Sequence, residues 1–121
     1  MYEVYFYVDR KGNQPVYDYI KSLIAKNVKD SRIKANKIND YITVLAEHGI
    51  TAGEPYIKHL DAEIWELRPL RDRILFAAWV KGGFVLLHVL MKKTAKTPAR
   101  EIEKAKAELA DLLERGVEFE Q

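Results

Sequence analysis

The sequence predicts an α+β domain spanning residues 1–121, because its apolar residues change period three times along the chain. They follow a strand-like period near the N-terminus and again from Tyr56 to Lys92, with helical spacing between and after. Turn residues stand where the period changes. The expected order is an N-terminal strand, a helical hairpin, an antiparallel β-meander packed on the helices, and a C-terminal helix. A chain of 121 residues is long enough to bury a substantial core.

Tyr2 to Val8 is rich in aromatic and β-branched residues and reads as a strand, ended by the turn Asp9-Arg10-Lys11-Gly12-Asn13. Pro15 suits the first turn of a helix, where its missing N–H costs nothing. Val16, Tyr19, Ile20, Leu23 and Ile24 give that helix an apolar face to about Lys26. Asp30 or Ser31 is the expected N-cap of the second helix. Ile33, Ile38, Tyr41, Ile42 and Leu45 form its stripe, and Gly49 stops it.

Four strands are then expected, at Tyr56–Leu60, Glu63–Arg68, Arg73–Val80 and Phe84–Lys92. Pro69-Leu70-Arg71-Asp72 and Lys81-Gly82-Gly83 are read as hairpin turns between them. Thr97 is placed as the cap of the last helix, with Pro98 at its first position and Gly116 beyond its end. Ile102, Ala105, Leu109, Leu112 and Leu113 form its apolar stripe.

Several function classes lose support at once. There are no cysteines, so disulfides and thiolate metal sites are excluded, which fits a reducing cytoplasm. His48, His59 and His88 stand far apart, so no metal site is expected, and no motif calls for a cofactor. Met1 to Tyr5 lacks a basic leader and an apolar stretch, so no signal peptide is read. No apolar run is long enough to span a bilayer, and no membrane partner is expected. Ser22 and Ser31 fall in helical segments, leaving a Ser-His-Asp nucleophile little support.

The net charge of +2 is a weak argument for nucleic acid, but its distribution is informative. Between Tyr56 and Lys96, eight Lys/Arg face four acids, a surplus of four that leaves the rest of the chain at −2. Such concentration suggests a local anion site; the plain alternative is a solvated surface with uneven charge.

Strand alternation says which side chains meet. Trp65 and Leu67 should pack under the helices, while Glu66 and Arg68 point to the other, open face of the sheet. Arg73 starts the next strand across a turn from Arg68. On the last strand His88, Leu90 and Lys92 share one face, and Leu87, Val89, Met91 and Lys93 the other. In a meander, Arg68, Arg73, Lys92, Lys93 and Glu66 converge on one patch, with Lys58, Arg71 and Lys96 as further RNA-binding cations.

That set suits RNA cleavage without a metal. Arginine forks stabilise charge growing on a phosphate, lysine supplies a point charge or a proton, and Glu66 or His88 could take the 2′-OH proton. The plain alternatives are a cross-strand salt bridge for Glu66 and a hydrogen-bonded core imidazole for His88.

Ile64-Trp65-Glu66-Leu67-Arg68, Arg73-Ile74-Leu75-Phe76 and Leu86-Leu87-His88, with Lys92-Lys93-Thr94-Ala95-Lys96-Thr97-Pro98, resemble the phage-derived HigB-like toxins of the RelE/ParE superfamily. Lys58-His59-Leu60 and Glu101-Ile102 with Ala105 add to the resemblance, which covers roughly residues 2 to 115. It implies a RelE-like fold and the toxin of a type II toxin–antitoxin system. It further implies an endoribonuclease that cleaves mRNA in the ribosomal A site, a helix-turn-helix HigA-like antitoxin as partner, and Arg73 as a catalytic, phosphate-contacting residue. The chain departs from the family pattern at Leu90, where Phe is frequent, and at Phe76, where Tyr is common. Two other readings stay open: a ParE-like topoisomerase inhibitor, and a non-catalytic RNA- or protein-binding module of the same fold.

Overall fold

The computed structural model describes residues 1–79 and 82–116. Strand β1 (Val4–Phe6) leads into helices α1 (Pro15–Lys26) and α2 (Lys29–His48), and a 3₁₀ turn, Gly49–Ala52, follows. Strands β2 (Ile57–Asp61), β3 (Ile64–Leu67), β4 (Asp72–Trp79) and β5 (Gly83–Met91) come next, and helix α3 (Ala99–Arg115) closes the described chain. The five strands form one mixed sheet in the order β1-β5-β4-β3-β2. The meander is antiparallel as expected, and β1 adds to it in parallel beside β5. Val80 and Lys81, and with them part of the expected glycine turn, lie outside the described residues. Among the described residues no helix is long and apolar enough to cross a membrane.

The helix boundaries follow from local chemistry. Pro15 opens α1, and Asn27 closes it in the left-handed conformation, its N–H bonded to the Ile24 carbonyl. Helix α2 starts at Lys29, with Val28 as its N-cap and no side-chain cap bond, so neither Asp30 nor Ser31 takes the cap role. Gly49 ends α2 at a φ of 60°, where a Cβ would meet the Tyr2 ring at 2.8 Å. Positive φ and that contact both call for glycine.

Two cores flank the sheet. Val16, Leu23, Ile38, Leu45, Leu67, Ile74, Phe76 and Leu86 fill the side under α1 and α2, with Trp65 packed against them. Ile64, Leu75, Ala77, Val85 and Leu87 join Ala105, Leu109 and Leu112 of α3 on the other. The face expected to be open is therefore covered by α3, and Glu66 on that face is only 3% exposed. Ile24, Ile33 and Leu113 remain exposed: each lies beside its helix's apolar stripe, where the spacing no longer reaches the sheet.

A β-bulge revises the expected faces of β5. Leu75 pairs with His88 and the next residue, Phe76, with Leu86, so Leu87 is the extra residue. Leu87 joins the α3 core, while Val89 packs on the α1/α2 side. Leu87 and His88 thus both serve the α3 side, and strict alternation fails at this point.

Polar contacts fasten helix α3 at several places. His88 is buried, with Nδ1 2.6 Å from Glu108 Oε1 and Nε2 3.0 Å from Glu101 Oε1. Those glutamates stand seven residues apart, two helical turns, and so share a face. Further along, Asp111 accepts hydrogen bonds from Tyr7 Oη at 2.9 Å, Arg10 Nε at 2.6 Å and Arg115 Nη2 at 2.7 Å. Burial and the Asp111 contact push the Tyr7 phenol up to about 12. The bonds from Arg10, and after them Tyr7 and Arg115, hold the Asp111 carboxyl below the usual carboxylate range.

A lowered carboxyl adds stability above its unfolded value and loses it as pH falls through the folded one. The thermal midpoint should therefore drop on acidification below about pH 4, and Asp111→Asn should lower the neutral-pH midpoint while flattening that acid slope. Thermal melts of both proteins between pH 2 and 7 check this; parallel slopes would contradict it.

Candidate active site

Glu66, near the end of β3, sits opposite Leu75 of β4, which in turn sits opposite His88 of β5. Arg73 pairs with Leu90 two residues along. Alternation puts Glu66 and Arg73 on the α3 side, beyond the N-terminal end of that helix, where the segment from Lys92 to Pro98 leaves the sheet. Between sheet and segment lies a pocket of about 310 Å³. Glu66, Arg73 and Leu90 to Pro98 line it, with Arg100 and Glu101 from α3. Five of these residues are cations (Arg73, Lys92, Lys93, Lys96, Arg100) and two are carboxylates (Glu66, Glu101), so the pocket attracts anions.

Arg73 is buried, its guanidinium Nη1 donating to the carbonyls of Leu70 at 2.9 Å and Asp72 at 2.8 Å. The first of these bonds depends on the turn. Leu70 holds a φ of 57°, a conformation unusual for a branched residue, and Asp72 N–H bonds back to the Pro69 carbonyl. Asp72 is itself buried, accepting from Tyr19 Oη at 2.9 Å and lying 3.7 Å from Lys34 Nζ. Helices α1 and α2 thereby anchor the turn that aims Arg73. Burial draws the Arg73 guanidinium below its ordinary value, and Arg68 adds to this while Glu66 and Asp72 oppose it. Starting so far above neutrality, the group stays a cation.

The Glu66 carboxylate faces two kinds of partner. Oε1 accepts a hydrogen bond from Thr97 Oγ1 at 2.5 Å. Oε2 lies 3.5 Å from Arg68 Nε and 3.9 Å from Arg73 Nε. These separations exceed the roughly 2.7–2.9 Å of a full charge-assisted bond, so Glu66 neutralises the arginines without occupying their donors. Arg68 Nε is buried with no hydrogen bond, while its Nη1 reaches Glu54 at 3.3 Å.

The structure brings together Glu66, Arg73, Lys92, Lys93 and Lys96 around the pocket, with Arg68 behind Glu66. The other expected site residues lie elsewhere. His88 is not among the lining residues, and both its nitrogens face glutamates of α3. Lys58 pairs with Glu66 in register but is exposed on β2. Arg71 is exposed and donates to the Lys92 carbonyl at 3.1 Å, tying the turn to the end of β5.

Thr97 is a correction to the sequence reading. Pro98 is the N-cap of α3, no side chain caps the helix, and the threonine hydroxyl goes to Glu66 instead. Arg100 and Glu101 were legible only as helix-face residues, because nothing local marks a helix start as a pocket wall.

The model of the phage-derived Gp49-like family (DUF891) matches residues 21–110, about three-quarters of the chain. The chain belongs to the Gp49-like family. That family is a group of RelE/ParE-like toxins, and in this Gp49-like chain the match spans both Glu66 and Arg73 and the whole lysine segment. No curated protein matches the chain. Phe76, a departure from the family pattern in which Tyr is common, is fully buried in the α1/α2 core and does not line the pocket.

Removing the Glu66 charge leaves buried Arg73 without the stronger of its two counter-charges. Glu66→Ala should cost about 1–3 kcal/mol in urea unfolding with an unchanged m-value. A variant as stable as the parent would show that the carboxylate is not the partner of these guanidinium groups.

Proposed function

We propose that this Gp49-like protein is the toxin of a type II toxin–antitoxin system and a ribosome-dependent mRNA endonuclease of the HigB-like kind. One observation supports this best: a buried carboxylate shares a pocket with Arg73 and three lysines. In the proposed reaction Glu66 takes the proton of a ribose 2′-OH. The 2′-oxygen attacks the adjacent phosphorus, the P–O5′ bond breaks, and Lys92 or Lys93 protonates the departing 5′-oxygen. The products are a 2′,3′-cyclic phosphate and a 5′-hydroxyl. Arg73 stabilises the charge on the phosphoryl oxygens, Arg68 adds positive potential from behind Glu66, and Lys96 and Arg100 hold the flanking backbone.

The base role goes to Glu66 rather than His88 because Glu66 lines the pocket, whereas the imidazole does not and has both nitrogens engaged by Glu101 and Glu108. The arginines and lysines supply the charge stabilisation that a metal gives other nucleases, and the reaction is proposed to be metal-independent. Substrate in the ribosomal A site places the protein in the cytoplasm, and a HigA-like helix-turn-helix antitoxin is the proposed neutralising partner.

Cell-free translation followed by primer extension should show message cut within the reading frame, undiminished by a chelator at concentrations that spare the ribosome. Arg73→Ala should lower cleavage at least a hundredfold while circular dichroism shows the fold retained. Intact message despite growth arrest would favour a topoisomerase inhibitor; full activity of Arg73→Ala would overturn the assigned site. Lys93→Gln and Lys96→Gln should each reduce the salt slope of single-stranded RNA binding by about 0.7, as expected for one lost phosphate contact. Unchanged slopes would remove these lysines from the RNA path.

A further inference from the structure

We propose that Thr97 is a positioning residue, whose hydroxyl fixes the plane of the Glu66 carboxylate and so directs its second oxygen toward the reacting ribose. The inference rests on the nuclease reading and adds a residue to it. Thr97 stands just before α3, a place where a threonine hydroxyl ordinarily caps the helix. Here Pro98 takes the cap position, and the hydroxyl instead crosses to a strand 31 residues earlier in the chain. The bond it makes is 2.5 Å long, in the range of an O–H donor to a charged acceptor.

Among the described residues, Glu66 has no comparably short contact on its other oxygen, where the arginine nitrogens stand at 3.5 and 3.9 Å. Coulombic attraction at that range holds a charge near cations but sets no angle. The hydroxyl bond is directional, and it occupies Oε1 alone. Oε2 is left facing the cationic side, available to accept a proton from a substrate whose phosphate is drawn to Arg73. Because Thr97 belongs to the segment that walls the pocket, the same bond couples that wall to the base.

Single-turnover cleavage of mRNA on purified ribosomes, with Thr97→Val and Thr97→Ser, tests the proposal at a temperature where circular dichroism shows both folded. Thr97→Val keeps the shape and loses the donor; its maximal rate should fall roughly ten- to a hundredfold with half-saturation unchanged. Thr97→Ser keeps the donor and should restore most of the rate. In parallel, ¹³C relaxation of labelled glutamate should show the Glu66 side chain rigid in the parent and in Thr97→Ser, and mobile in Thr97→Val. Parental cleavage by Thr97→Val, equal impairment of both variants, or an equally rigid Glu66 in all three would overturn the role. If the parent itself cuts no RNA, the nuclease reading fails and the relaxation result alone decides whether Thr97 orders Glu66.

Discussion

The arrangement depends on one buried carboxylate. Glu66 is nearly inaccessible, and a charge in that position survives only with partners, since desolvation costs several kcal/mol per ion. Its partners come from three parts of the chain: Arg68 beyond the same strand, Arg73 across the turn, and Thr97 from the segment after β5. Arg73 in turn is satisfied by two carbonyls of the Pro69–Asp72 turn, and that turn is held by Tyr19 and Lys34 through Asp72. Sheet, helical hairpin and connecting segment thus meet at one ion pair. The result is a pocket whose buried charges are held from several elements at once, as the proposed phosphate chemistry requires.

Helix α3 has the complementary task. It closes the second face of the sheet and presents its N-terminal end, with Arg100 and Glu101, as a wall of the pocket. The bulge at Leu87 lets both Leu87 and His88 face this helix, so that the strand supplies a core residue and a polar clamp side by side. His88, bonded to Glu101 and Glu108, fastens the helix to β5 and does not line the pocket.

Much of this was legible in the sequence. Alternation along β3, with Arg73 across the turn from Arg68, was enough to gather Glu66 and Arg73 on one patch, and the run from Lys92 to Lys96 after an apolar strand marked where cations would gather. What stayed hidden has identifiable causes. Leu87 carries no glycine or proline to announce a bulge, so the faces of β5 were assigned by strict period. The stripe on α3 said that the helix is buried but not against which face, and the sheet was expected to be open where α3 covers it. Ile24, Ile33 and Leu113 fitted helical stripes that were wider than the surfaces available to bury them. Thr97 obeyed a local capping rule that a long-range carboxylate overrode.

The most direct test of the account is the chemistry of the cut ends. A ribosome-bound message would be incubated with the protein, alongside one carrying a single 2′-deoxynucleotide at the cleavage site, and the fragments weighed by mass spectrometry. A 2′,3′-cyclic phosphate (or the phosphate it opens to) with a 5′-hydroxyl, and no cut at the deoxy position, is the expected result. A 3′-hydroxyl with a 5′-phosphate, or undiminished cutting at the deoxy position, would contradict attack by the 2′-oxygen and with it the role given to Glu66.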